Sequence, residues 1–224
     1  MRRVLVLRPE PGATATLDRA RKRGLNAIAL PLFKIEPLPW KAPDATAFDA
    51  LLLTSANGVR QAGAGLARLR HLPVHAVGDA TADAALDAGF TVASTGAGGV
   101  DPLLASLEPG LRLLHLCGEH RVVPTNVRQE ITSVIVYRSG EIAAPDGSVA
   151  ENAIALVHSP RSARRFAQLI DEVGVDRGAI AIAAISIAAV EAAGPGWEAV
   201  EAAGAPNDDA LLALAERLCN KRGT

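Results

Sequence analysis

Two stretches decide the fold: Leu52-Leu53-Thr54-Ser55-Ala56-Asn57-Gly58-Val59 and Leu156-Val157-His158-Ser159-Pro160-Arg161-Ser162-Ala163. Each passes from an apolar strand end, through a serine, into the start of a helix. Ser55 and Ser159 stand 104 residues apart. Each stretch is followed by a second match, Val74-His75-Ala76-Val77-Gly78-Asp79-Ala80-Thr81-Ala82 against Ile182-Ala183-Ala184-Ile185-Ser186-Ile187-Ala188-Ala189-Val190, with Gly78 and Ser186 in register 108 residues apart. A strand–loop–helix unit repeated in this way implies two like-built α/β lobes.

The rest of the chain alternates in the same manner. Short apolar runs predict strands at Val4–Leu7, Ala27–Leu30, Asp49–Leu53, Val74–Val77, Leu111–Leu116, Val134–Tyr137, Ile154–Val157 and Ala181–Ile185. Helical periodicity predicts a helix carrying Leu17 and Ala20 up to Gly24. Further helices are predicted at Asp79–Ala88, Ser162–Val173, Ala188–Ala193 and Ala210–Cys219. Ser159 is a favoured N-cap and Pro160 a favoured first helical residue, so the third of these helices starts there. Strands that are apolar throughout, separated by helices, belong to parallel sheets covered on both faces. Leu32–Pro39 and Ser133–Ser139 read as extended crossings, the first because residues before proline are pushed out of the helical region. The expected division is lobe one from residues 1–36 and 139–224, and lobe two from residues 37–138. Linker strands lie near 33–39 and 133–139.

Composition narrows the function. Of 224 residues, 49% are hydrophobic and 21% charged, with Lys+Arg 23 against Asp+Glu 24. That balance argues against nucleic-acid and membrane-surface partners, which select a basic excess. Only four of the 23 cations are lysines (22, 34, 41 and 221); arginine suits bidentate recognition of carboxylate or phosphate. Two cysteines make no disulfide framework and fit a reducing cytoplasm. No run is long and apolar enough for a signal peptide or a membrane span.

Ligands of open α/β sheets lie off the carboxyl ends of the strands. Thr54, Ser55, Gly78, Gly118, His158, Ser159 and Ser186 all fall at such ends. The free amides of the helices that follow favour an anion, although each serine also suffices as a plain helix cap. Gly96-Ala97-Gly98-Gly99 lacks the Lys-Ser/Thr of a phosphate loop and the spacing of a dinucleotide fingerprint. His115, Cys117 and His120 show no fourth ligand, so no metal site is expected. A Gly-x-Ser-x-Gly elbow is missing. Tyr137, the single tyrosine, sits in the second crossing and would be a weakly acidic phenol.

These residues together resemble the uroporphyrinogen-III synthase family over nearly the whole chain. The resemblance rests on Val6-Leu7-Arg8-Pro9 and Asp49–Val59, on Ala76-Val77-Gly78 with Thr81-Ala82, on Val136-Tyr137-Arg138, and on His158-Ser159-Pro160. It implies two flavodoxin-like lobes with parallel sheets, joined by a two-stranded linker, and an active site in the cleft. It implies cyclisation of the linear tetrapyrrole hydroxymethylbilane to uroporphyrinogen III, with loss of water and inversion of the last pyrrole ring. The family route passes through an azafulvene and a spiro intermediate, without metal or cofactor. Tyr137 would assist departure of the hydroxyl. Arg8, Thr54, Ser55, Asn57, Gly78, Thr81, Ala82, Gly118, His158, Ser159, Ser162 and Ser186 would bind the substrate, whose eight carboxylates suit helix starts and arginines. The expected protein is a cytoplasmic monomer, in transient contact with the enzyme that precedes it. The other reading is a two-lobed binder of an anionic small molecule without turnover. The chain departs from the family at Ser186, where glycine is common, at Ala189, where threonine is common, and at Cys117, where arginine often precedes the glycine.

Overall fold

A computed structural model describes residues 2–143 and 145–220. The chain divides into two compact units, residues 1–34 with 141–224 and residues 35–140. It opens with β1 (Arg3–Val6), α1 (Gly12–Lys22), β2 (Asn26–Ala29) and β3 (Phe33–Pro37), the last crossing into the second unit. There follow β4 (Ala50–Leu53), α2 (Ala56–Arg60), β5 (Val74–Val77), α3 (Asp79–Asp87), β6 (Val92–Gly96), α4 (Val100–Ser106), β7 (Arg112–Gly118) and β8 (Glu130–Glu141). The first unit then resumes with β9 (Ile154–Val157), α5 (Pro160–Val173), β10 (Ala181–Ala184), α6 (Ile187–Ala193), β11 (Ala199–Ala202) and α7 (Asp208–Asn220).

The first unit's sheet runs β11-β10-β9-β1-β2 with every pairing parallel. Counted along the chain within that unit, this is the flavodoxin-like order 2-1-3-4-5. The second sheet runs β3-β8-β7-β4-β5-β6. Its strands from β8 to β6 are parallel. β3 is antiparallel to β8: Ile142 N–H donates to the Leu32 carbonyl and Leu38 N–H to the Val136 carbonyl, so the partner numbers fall as the strand numbers rise.

Counted within its own unit, the parallel part of the second sheet is 3-2-1-4-5. Counting the first unit from β9 instead of β1 gives the same order. The two sheets are thus one arrangement entered at different strands, with β4 matching β9, β5 matching β10 and β7 matching β1. The sequence echo has its origin here, because both members of each matched pair hold the same place in their sheets. The helices follow suit. Leu51 and Leu53 pack with Val59 and Ala85 of α2 and α3, as Leu5, Leu7 and Val157 pack with Phe166, Ile170 and Ala189 of α5 and α6. On the opposite faces, α4 gives Leu103 and Leu104 against Leu52, and α7 gives Leu211 and Leu214 against Val4 and Val6. The one break in the match lies between β7 and β8. There residues 119–129 form no helix, where the first unit has α1.

Local chemistry sets the boundaries. Ser55 accepts from Asn57 N–H at 3.2 Å and Ser159 from Ser162 N–H at 3.1 Å; each satisfies a free donor of its helix start. Pro160 opens α5, and Gly174 closes it with φ 70°, a left-handed geometry that glycine adopts without a Cβ clash. Phe166 of α5 stacks on Trp197 at 5.7 Å.

Several elements differ from the sequence expectation. α2 follows Ser55 as the repeated stretch implies, but β6, β11 and α4 have no apolar signature of the expected kind. β6 and β11 are the outer strands of their sheets and are half-exposed, so neither forms a continuous apolar run. β8 spans twelve residues rather than Val134–Tyr137, and its burial alternates irregularly. β7 runs on to Gly118, two residues past the expected Leu116. Among the described residues no helix is long and apolar enough to cross a membrane.

α2 lies close upon β7, and Gly58 makes that approach possible. A Cβ at Gly58 would stand 2.6 Å from the Leu116 carbonyl oxygen. Gly58→Ala is therefore expected to lower unfolding stability by about 2 kcal/mol, the usual scale of overpacking, measured by urea denaturation. An unchanged midpoint would show that α2 shifts freely.

Candidate active site

The strand order reverses direction between β4 and β7 in the second unit, and between β9 and β1 in the first. A crevice opens at such a switch point, beyond the carboxyl ends of the two strands. The two crevices are filled differently.

In the second unit the crevice is open. Thr54, Ser55, Gly118 and Tyr137 line a cavity of about 420 Å³, together with Val77, Gly98, Gly99, Val100, Asp101, Pro102, His120, Arg121 and Val122. Gly118 is what lets the phenol lie there: a Cβ at that position would stand 2.6 Å from the Tyr137 ring. Burial raises the Tyr137 pKa above its ordinary value, and the Ser55 hydroxyl beside it opposes the shift. The phenol is therefore protonated at neutral pH. The loop after β7 is tied down by Asp101, which accepts from the Thr125 N–H at 2.9 Å and its hydroxyl at 3.3 Å. Behind Thr54, His115 is buried, with Nε2 3.0 Å from the Thr54 hydroxyl. Burial, with the charge of Arg121, pushes its pKa down to about 4.

In the first unit the crevice is occupied by the chain's own carboxylate. Asp208, in the first turn of α7, accepts from His158 Nε2 at 2.8 Å and from the Thr16 hydroxyl at 2.8 Å. Arg19 lies 2.7 Å away and Arg8 3.6 Å. Burial alone would raise the Asp208 pKa. The hydrogen bonds from His158 and Thr16, with the charge of Arg19, outweigh burial and hold the carboxyl well below the usual carboxylate range. Two candidate anion-binding residues, Arg8 and His158, are thus already engaged.

The other candidates are placed as follows. Asn57 lies in α2 and gives its N–H to Ser55. Gly78 caps α3 with φ 79°. Thr81 and Ala82 are buried within α3 and do not line the cavity. The hydroxyls of Ser159 and Ser162 lie 2.9 Å apart. Ser186 caps α6 through the Ala189 N–H at 3.4 Å. Sequence reasoning missed Gly98 and Gly99 as cavity walls, and Thr16, Arg19 and Asp208 as a cluster. Two glycines ahead of a helix are a readable signal for the first. The second joins residues up to 192 positions apart, and no local pattern carries that. Among the described residues no group of three His, Cys, Asp or Glu side chains is arranged to hold a metal ion.

The model of the family "Uroporphyrinogen-III synthase HemD" matches residues 14–213. No curated protein matches the sequence. Among solved structures, uroporphyrinogen-III synthetase from Helicobacter pylori superposes with a TM-score of 0.65 at 19% identity, covering 97% of this chain and 100% of that one. A mutant uroporphyrinogen III synthase from Thermus thermophilus gives 0.53 at 18% identity, covering 99% and 100%. At these identities the superpositions speak for the fold.

The Asp208 cluster makes a pH-dependent prediction. A carboxyl whose pKa is depressed on folding stabilises the fold above its unfolded pKa, near 3.8. That contribution is lost as pH falls through the lower folded value. Asp208→Asn should cost about 3 kcal/mol at pH 7, as for a broken buried pair, and the gap to the unsubstituted protein should shrink between pH 4 and pH 2. Urea unfolding at both ends of that range measures it; a gap independent of pH would mean that Asp208 acts by shape alone.

Proposed function

The chain belongs to the uroporphyrinogen-III synthase family, and from that premise we propose that the open strand-end cavity of the second unit holds the reacting end of hydroxymethylbilane, with Tyr137 as its proton donor. The family reaction closes this linear tetrapyrrole to uroporphyrinogen III, with water as the only other product. The observation that carries the proposal is the grouping of Tyr137 with Thr54, Ser55 and Gly118 around one cavity.

The chemistry asks little of an enzyme beyond placement, since the substrate closes spontaneously to isomer I. The phenol of Tyr137 gives its proton to the departing hydroxyl, which leaves as water. The substituted carbon of the last pyrrole attacks the resulting azafulvene to give the spiro intermediate, and the bond to its old bridge breaks. The ring's free carbon then recloses onto that bridge and loses the proton that returns the phenolate to phenol. A weak acid suffices because the pyrrole nitrogen drives the hydroxyl out. Ser55, beside the phenol, steadies the transient phenolate. Selecting isomer III is then a matter of holding two chain ends in one geometry within a preorganised polar pocket.

Arg121 supplies a fixed cation at the cavity wall, suited to a propionate or acetate arm. Arg8 and His158 would reach a carboxylate only in competition with Asp208. The reading extends to a cytoplasmic monomer that takes its substrate from the enzyme before it. Support for this transfer comes from the substrate's own spontaneous closure, which leaves little time in free solution.

The test supplies freshly made hydroxymethylbilane and resolves the oxidised products by chromatography. Isomer III should predominate without added metal or cofactor, and isomer I alone would refute the reading. Tyr137→Phe should lower kcat by about a hundredfold, the modest end of general-acid effects, with Tm unchanged. Equal kinetics would remove Tyr137 from the mechanism.

A further inference from the structure

His115 is a polar residue set between Leu114 and Leu116 in β7. It is 2% exposed and faces the side of the sheet where residues 119–129 stand in place of a helix. A second cavity of about 290 Å³ lies there, with His115, Ser133 and Arg121 in its wall. A buried imidazole keeps hydrogen-bond partners, and both partners here are hydroxyls. Nε2 is 3.0 Å from Thr54 Oγ1, and Nδ1 is 3.5 Å from Ser133 Oγ. Thr54 in turn lines the larger cavity beside Ser55 and Tyr137. His115 therefore stands behind the cavity wall and touches it through one hydroxyl.

We propose that His115 is a positioning residue whose Nε2–H donates to Thr54 Oγ1, turning the Thr54 proton into the cavity to meet a carboxylate of the substrate. This rests on the functional reading above. The imidazole is neutral, because burial and then the Arg121 charge disfavour the cation, so one nitrogen carries the proton. Two tautomers are open to it. With the proton on Nδ1, Thr54 would have to donate back to Nε2 and would present only lone pairs to the cavity. A site built for a polycarboxylate gains from the other arrangement, in which Ser133 donates to the bare Nδ1 and Thr54 is free to donate outward. Arg121, in the wall of both cavities, provides the charge that the Thr54 hydroxyl refines into a direction.

The test is a double-mutant cycle of Thr54→Val and His115→Phe, with His115→Gln as the conservative variant. Binding of uroporphyrin III is followed by quenching of tryptophan fluorescence, and KM and kcat are measured with hydroxymethylbilane. Each single variant should weaken uroporphyrin binding about tenfold, the scale of one hydrogen bond to a charged group, with the loss falling on KM rather than kcat. The double variant should bind no more weakly than either single one. Gln, whose amide donates from nearly the place of Nε2, should recover binding to within about twofold. Additive losses, a Gln variant as weak as Phe, or no binding of uroporphyrin III by the unsubstituted protein would each overturn the assignment. Should His115→Phe fail to fold, the comparison of Gln with Thr54→Val decides instead: near-native binding by Gln, with tenfold loss in Thr54→Val, supports it, and equal losses overturn it. Coupled binding without formation of isomer III would keep the role of His115 and remove the functional reading.

Discussion

A parallel strand buried on both faces has only its carboxyl end left for chemistry. Leu51, Leu52 and Leu53 in one unit, and Ile154 to Val157 in the other, are fully buried side chains. Nothing polar can be placed along them without a partner. Parallel connection then brings every such end to the same edge of its sheet, and the change of winding direction opens the crevice. The positions of Thr54, Ser55 and Gly118, and of Arg8, His158 and Ser159, all follow from this one constraint.

The two units obey it alike and use it differently. In the first, α1 and α7 complete the second helical layer, and Asp208 closes the crevice with a carboxylate already matched to Arg8, Arg19 and His158. In the second, the connection after β7 forgoes a helix. That choice leaves His115 without helical cover, exposes Val122 and Val123 on the loop, and keeps the crevice open to a ligand. Both cavities described here lie in the unit that lacks this helix, in keeping with functional sites that give up packing for access.

Much of this was legible in the sequence, for physical reasons. The buried central strands announce themselves as apolar runs. Ser159-Pro160 and Gly174 mark the two ends of α5, because caps obey local rules. The family likeness also came from short motifs at strand ends, where sequence and chemistry coincide. The edge strands β6 and β11 were not legible, since neither forms a continuous apolar run. Nor was the Asp208 cluster. Thr16 reads as an ordinary helix residue and Asp208 as helix-start acidity, and only the fold brings them to 2.8 Å. The same holds for His115 and Thr54, which lie on neighbouring strands 61 residues apart in sequence.

Everything proposed above turns on one point: the open crevice of the second unit, and not the closed one of the first, receives the tetrapyrrole. Amide hydrogen exchange with and without uroporphyrin III tests it most directly. Slowed exchange should concentrate at residues 54–58, 98–102 and 118–122. Protection confined to residues 8–16, 158–162 and 207–211, with residues 54–58 and 118–122 unchanged, would contradict it.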